Sequence, residues 1–385
     1  LQSGQDQARF GITQHIPGHR RPFAKLIDPV VASQLPLEVE TFAESLAAAG
    51  YATGYFGKWH LGGEGFGPSD QGWSTTIELR GHTVSPSNRD QKPPQRTAEF
   101  LVDQAIEFIS LNQDRPFLLQ ISHFAVHIPL SVTQQHRERF LAKLPVDGYP
   151  SRPDYAALLL ELDDSVARVV NEIDRLGLAE ETLVLFVSDN GGLEHEQDGT
   201  VVTSNAPLKG EKGSLYEGGI RVPAIARWPG VVPAATTCDH VLSTVDVHAT
   251  IREIANAKLI NEEQPSDGIS FSDVLRDPTQ VMPERELFWH LPHYHHSTPS
   301  GAVRNGDWKL IEFFEDGAVE LYNMHNDRSE QNDVAAANPE IVAHLKPRLK
   351  LWQQKVGAKM PVPNPAHDAR RASQLGKTEL RRDDR

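Results

Sequence analysis

Three times before Trp228 the chain runs an amphipathic helical stretch into a short apolar strand, and this alternation restricts the fold more than any other feature. Val39, Phe42, Leu46 and Ala49 recur at helical spacing after Pro36, and Gly50 stands where a helix C-cap belongs. A strand is expected over Tyr51 to Phe56. Arg96 to Leu111 puts Phe100, Leu101, Ala105, Phe108 and Ile109 on one side of a helix, which Arg115-Pro116 stops before the apolar run Phe117 to Ser122. Tyr155 to Leu176 is the longest amphipathic stretch and is closed by Gly177. Thr182 to Ser188 then forms a continuous apolar run of the kind found in parallel strands covered on both faces. Val222 to Trp228 supplies another strand. Repeated βα units predict an α/β fold, a large, mostly parallel sheet flanked by helices, with its ligand crevice beyond the carboxyl ends of the strands.

From Pro265 the texture changes to short strand-like runs at Glu286 to Leu291, Gly301 to Arg304, Trp308 to Phe314 and Val319 to Tyr322. Asp316-Gly317 signals a tight hairpin turn between two of them. The expected division is an α/β domain over residues 1–264, a smaller C-terminal antiparallel sheet with a helix over 265–360, and a disordered tail over 361–385. A formal net charge of −14 argues against a broad nucleic-acid or anionic-membrane surface, so any anion site must be local. No run approaches the roughly 20 apolar residues of a membrane helix. The single cysteine, Cys238, excludes an internal disulfide framework.

Chemistry should gather where the strands end, and four segments qualify. Gly57-Lys58-Trp59-His60 places a cation and an imidazole two residues apart, a spacing that in extended backbone points both side chains the same way, toward an anionic oxygen group. Ser188-Asp189-Asn190-Gly191-Gly192 follows the apolar run and offers a carboxylate and an amide oxygen, hard ligands for Ca²⁺ or Mg²⁺, although the same residues also make ordinary turns. His123 and His127 lie just past Ser122, where a histidine can donate to an anion, protonate a leaving group, or simply pack. The glycine-rich stretch Pro207 to Pro223 brings backbone and Lys212 close to a ligand, or is a plain surface loop. Together they put two lysines, two histidines and an Asp-Asn pair at successive strand ends.

In combination these segments resemble the sulfatases of the alkaline-phosphatase superfamily. Gly50 to Gly62 is similar to the second sulfatase signature, Ser188 to Gly192 to the metal loop and Lys209 to Pro223 to the lysine loop, in the expected order. Phe288 to Tyr294, Gly301 to Leu310 and Glu320 to Asn323 resemble the small domain of bacterial arylsulfatase-like and N-acetylgalactosamine-6-sulfatase-like members. The resemblance implies that Asp189 and Asn190 are calcium ligands, Lys58 and Lys212 contact sulfate oxygens, His60 partners the nucleophile, and His127 contacts sulfate and serves as a leaving-group acid. It also implies sulfate-ester hydrolysis, carbohydrate or aryl sulfates as substrates, and a periplasmic or extracellular setting.

Sulfatases use a formylglycine made within a Cys/Ser-x-Pro/Ala-x-Arg signature and take further calcium ligands from two aspartates on their first strand. Leu1 to Thr13 resembles the segment just after that signature, so the expectation is a chain that lacks the nucleophile and is inactive by itself. Neither Cys238 nor Ser85-Pro-Ser-Asn-Arg89 has the required spacing. Two other readings stay open: a non-catalytic, sulfated-glycan-binding homologue, and a phosphatase or phosphonate hydrolase of the same superfamily. His290, His293, Tyr294, His295 and His296 form an aromatic and imidazole patch, from which His290 and His293 are expected to contact substrate.

Overall fold

A computed structural model describes all residues except 16, 17, 19, 85–94, 144–151, 195, 198 and 376–385. Ser85 to Arg89 therefore lies outside the described residues. Helix α1 (Phe42–Ala48) begins at a reciprocal cap, in which Thr41 Oγ1 accepts from the Glu44 amide and Glu44 returns a carboxylate to the Thr41 amide at 2.7 Å. Its apolar face leads into an aromatic cluster where Tyr55 meets Trp59 edge-on at 5.0 Å and Trp73 at 5.3 Å.

Strand β1 (Ala52–Gly57) is central in a parallel sheet, with β2 (Thr75–Glu78) on one side and β3 (Phe117–Ser122) on the other. Helix α2 (Thr97–Leu111) covers one face by packing Leu101, Ala105 and Phe108 on Ala52 and Phe56. Burial of side chains of this size contributes about 1.5–3 kcal/mol each. Two further helices, α3 (Gln134–Leu141) and α4 (Pro153–Arg175), pack against each other, and α4 also lies against α2.

The apolar run at Thr182 departs from its expected setting. Strand β4 (Val184–Val187) pairs antiparallel with β5 (Ala224–Arg227), its hydrogen-bonded partner among the described residues, and the pair is only partly covered, with Val187 36% and Ile225 63% exposed. An apolar run of this length records hydrophobicity but not strand direction, so it could not separate the two arrangements. Between them, Glu217–Ile220 forms the short helix α5. Helices α6 (Thr244–Ile254) and α7 (Ser272–Arg276) follow.

The C-terminal part is a four-stranded antiparallel meander of β6 (Glu286–Leu291), β7 (Ser300–Asn305), β8 (Trp308–Phe313) and β9 (Val319–Asn323), covered by α8 (Pro339–Lys355). Its side chains obey the two-residue period of a strand. Val303, Leu310 and Leu321 face Leu345 and Leu349 of α8, whereas Ala302, Ile311 and Tyr322 face Leu215, Tyr216 and Ile220. The glycine-rich stretch is thereby packed on the small sheet. Part of the expected tail is ordered: Val362 and Pro363 pair with Ile27 and Leu26, and the Asn364 amide group donates to Pro22 and Ala24 carbonyls. Residues 376–385 lie outside the described residues. No helix among the described residues is long and apolar enough to cross a membrane.

Gly57 fixes the meeting of β1 and β3. Its φ of +121° is open to glycine alone, and a Cβ there would collide with the Ser122 carbonyl. Gly57→Ala should lower the unfolding free energy by about 1–3 kcal/mol or more through backbone strain. Gly63→Ala, which meets nothing within 4 Å, should stay within about 0.5 kcal/mol of the parent in the same urea titration.

Candidate active site

Parallel register brings the Lys58 and His123 segments side by side. Gly57 pairs with Ser122, and the Lys58 amide donates to the Ser122 carbonyl at 2.9 Å, so Lys58 and His123 leave the sheet at neighbouring strand ends. The Tyr55 hydroxyl donates to the Lys58 carbonyl at 2.6 Å, which holds this exit from below. The Lys58 ammonium lies 5.6 Å from the Phe124 ring centroid. Burial lowers its pKa, Lys212 and Arg80 lower it further, and Asp189 opposes them.

The Lys58–His60 segment is not extended as the sequence spacing assumed. The strand ends at Gly57, Trp59 is buried with its indole N–H on the Phe66 carbonyl, and His60 takes a left-handed φ of +58°. Such backbone is costly for histidine, about 1–3 kcal/mol, and persists only where the surroundings enforce it. The Lys58 and His60 side chains therefore do not share the simple strand face from which their cooperation was inferred.

His127 is exposed and its Nδ1 donates to the Ile128 carbonyl at 2.6 Å, which leaves Nε2 as the reactive nitrogen. Although the residue is exposed overall, partial burial of its ring lowers its pKa most, the Ile128 carbonyl and Asp189 pull it upward, and Lys212 and Lys58 lower it as well. Lys212 and Asp189 thus sit close enough to bias the protonation of Lys58 and His127. His123 differs. Its Nδ1 is buried without a hydrogen-bond partner, and burial pushes its pKa down to about 4.

The Asp189 and Lys212 segments are interlocked. Ser188 Oγ donates to the Asn190 carbonyl at 3.0 Å, and Asn190 Nδ2 donates to the Gly191 carbonyl at 2.9 Å, so the amide oxygen is the atom left for a cation. The Gly191 amide donates to the Gly219 carbonyl at 2.9 Å and the Lys212 amide to the Gly192 carbonyl at 3.1 Å. A Cβ on Gly191 would strike the Gly218 carbonyl, so close packing of the two loops requires glycine there. Asn205 completes the lock, accepting from the Gly192 amide at 2.8 Å and donating to the Gly192 and Gly210 carbonyls at 2.9 and 3.1 Å. Sequence reasoning missed Asn205, which reads locally as an ordinary turn residue before Ala206-Pro207.

Lys209 is spent on packing, 4.1 Å from the Tyr216 ring centroid and 3.0 Å from the Tyr322 hydroxyl. His290 and His293 are each 1% exposed. One is engaged by the Lys359 carbonyl at 3.1 Å, the other by Thr13 at 2.7 Å, so their side chains are buried in packing and offer no open edge. It is the next residues that reach the lysine loop. Ser297 Oγ donates to the Gly213 carbonyl at 3.1 Å, His296 Nδ1 lies 3.3 Å from Glu211, and His295 packs so tightly on Gly213 that a Cβ there would overlap its ring.

Asp189 and Asn190 are the right kind of donors for calcium, but an ion of this size takes about 6–8 oxygens. Among the described residues no group of three or more His, Cys, Asp or Glu stands ready to hold a metal ion. Two such donors alone fall short of that number.

The sulfatase family profile matches residues 1–257, and the profile of the N-sulphoglucosamine sulphohydrolase C-terminal region matches 210–355. A sulfatase from Formosa agariphila is 34% identical over 290 residues, covering 69% of this chain and 51% of that protein. Human arylsulfatase A is 29% identical over 412 aligned positions, covering 90% of this chain and 77% of the relative. The crystal structure of Ps i-CgsB in complex with k-i-k-neocarrahexaose superposes with a TM-score of 0.75 at 23% identity, over 96% of this chain and 83% of that one, a likeness of fold. This chain belongs to the sulfatase family. It spans about half the length of the Formosa relative.

The His123 environment yields a sign that can be checked. Its folded pKa, about 4, lies below the ordinary 6.5, so the stability it contributes is fully present above about pH 6.5 and is lost as pH falls toward 4. In an NMR titration its ring C–H resonance should stay constant from pH 8 to about 5. A midpoint near 6.5 would show that the ring is solvated.

Proposed function

We propose that this chain forms the sulfate-binding part of a sulfuric-ester hydrolase. The observation that carries the reading is the main-chain lock between the loops bearing Asp189 and Lys212, with both residues near enough to Lys58 and His127 to bias their protonation. Ester cleavage spreads negative charge over the sulfuryl oxygens and the departing alcohol oxygen, and two ammonium groups carried by backbone-anchored residues stabilise it. His127, steered by the Ile128 carbonyl, presents Nε2 to the leaving oxygen. The two lysines depress its proton affinity; an anionic ester placed between them offsets that effect and raises it. The substrate therefore recruits the proton that its own leaving group needs.

The reading extends to the family's formylglycine nucleophile and to calcium held in part by Asp189 and Asn190, with further oxygens from outside this residue set. When bound, the ion adds positive charge at the sulfuryl oxygens. Sulfated carbohydrates are the substrate class we favour, in line with a fold neighbour solved with an oligosaccharide, and a periplasmic or extracellular setting fits that class. His290 and His293, buried as they are, enter the reading as packing residues.

In the full natural chain, Lys58→Ala, His127→Ala and Lys212→Ala should each lower sulfate release from an aryl sulfate or sulfated sugar by roughly 100-fold or more, with unchanged melting curves. Near-parental turnover in any variant removes that residue from the mechanism. A sulfated-glycan-binding homologue would instead bind such sugars with the same residue dependence and release no sulfate. Preferential release of phosphate from matched phosphate esters would favour the phosphatase reading. The His127 ring should also titrate at higher pH in saturating sulfate than without it; no shift would place the anion elsewhere.

A further inference from the structure

Apart from the strand-end cluster, the most demanding feature among the described residues is a buried group of one lysine and two glutamates. Lys309, in β8, is 0% exposed, and its Nζ lies 2.9 Å from Glu217 Oε1 and 2.8 Å from Glu330 Oε1. Glu330, also 0% exposed, accepts from the Glu217 amide through Oε2 at 2.6 Å and holds a left-handed φ of +55°. Burial alone would raise the Glu217 pKa, but Lys309 brings it below the usual carboxylate range, so Glu217 is ionised. Burial raises that of Glu330. Buried ion clusters are poor stabilisers compared with apolar groups of the same volume, and their best-attested use is to fix one arrangement of chain against another.

The arrangement fixed here is readable from the next three residues. Glu217 opens α5, directly before Gly218 and Gly219. The Gly218 amide donates to the Lys209 carbonyl at 2.8 Å, and the Gly219 carbonyl accepts from the Gly191 amide at 2.9 Å. One short turn therefore holds the loop bearing Lys212 on one side and the loop bearing Asp189 and Asn190 on the other. Lys309 clamps that turn to the C-terminal sheet from 92 residues away in sequence. Tyr216 adds a second tie, its hydroxyl donating to Glu320 at 2.7 Å.

We propose that Lys309 is a positioning residue for the anion site: by clamping Glu217 it sets where Asp189, Asn190 and Lys212 stand, which makes the C-terminal sheet part of the site. The functional consequence rests on the sulfate reading above. The positioning itself rests on the geometry.

The test compares the parent chain with Lys309→Arg and with Lys309→Met combined with Glu330→Gln, which keeps the net charge of the cluster. Melting curves establish that each variant folds, amide hydrogen exchange is followed over residues 52–57, 117–122, 189–192, 209–219 and 308–313, and inorganic sulfate is titrated calorimetrically. In the double variant, amides of both loops should exchange at least tenfold faster while those of β1 and β3 hold, and the sulfate dissociation constant should rise at least tenfold. Lys309→Arg should recover most of both. Parental exchange in 189–192 and 209–219, with loosening confined to β8, would overturn the proposal by making the cluster a matter of local packing. If the parent binds no sulfate while the loops still loosen, the sulfate reading fails and the positioning stands.

Discussion

Everything in the site depends on the in-register meeting of β1 and β3. Because Gly57 lies opposite Ser122 and the Lys58 amide donates to the Ser122 carbonyl, Lys58 of one strand and His123 of the other leave the sheet at the same level, and His127 follows in the next turn. A side chain at position 57 would push the strands apart. The interaction is backbone against backbone, so its precision does not rely on long side chains finding one rotamer. That suits groups acting on developing charge, where small displacements are expensive.

The opposite wall is built by a different means. The 188–192 and 209–219 loops hold each other through main-chain bonds and Asn205, then lean as a unit on the small sheet through Leu215, Tyr216 and Ile220. The sheet has two working faces in consequence. One is filled by α8 and supports folding; the other carries the loop that contributes Lys212. Electrostatics complete the picture. Lys212 disfavours the charged forms of Lys58 and His127 and Asp189 opposes it, so an anion bound beside them would favour both charged forms.

Much of this was legible in the sequence because local chemistry announces it. Helices with apolar faces, strand-end glycines and the order of the Lys58, His127, Asp189 and Lys212 segments all survive in the structure, since each is decided within a few residues. What was not legible depends on distant partners. The Thr182 run reads the same whether its neighbour is parallel or antiparallel, and its pairing with Ala224 to Arg227 is settled by tertiary structure. Lys58 and His60 lost their assumed common face because Trp59 is drawn into the aromatic cluster and His60 turns left-handed, which no two-residue spacing reveals. Within the histidine patch, His290 and His293 are buried in packing, which a run of histidines in sequence does not reveal, while His295 and His296 lie against the Lys212 loop. Asn205, Glu217 and Lys309 gave no signal because an asparagine before Ala-Pro, a glutamate before two glycines and a strand lysine look ordinary until their partners are known.

The most direct test of the central claim is a crystal structure of the full natural chain grown or soaked with sulfate. The expected result is a sulfate ion whose oxygens lie within hydrogen-bond distance of Lys58 Nζ, Lys212 Nζ and His127 Nε2, with Asp189 and Asn190 turned toward the same space. A site without anion at saturating sulfate, or one in which Lys58 and Lys212 are each neutralised by carboxylates of the chain, would contradict it.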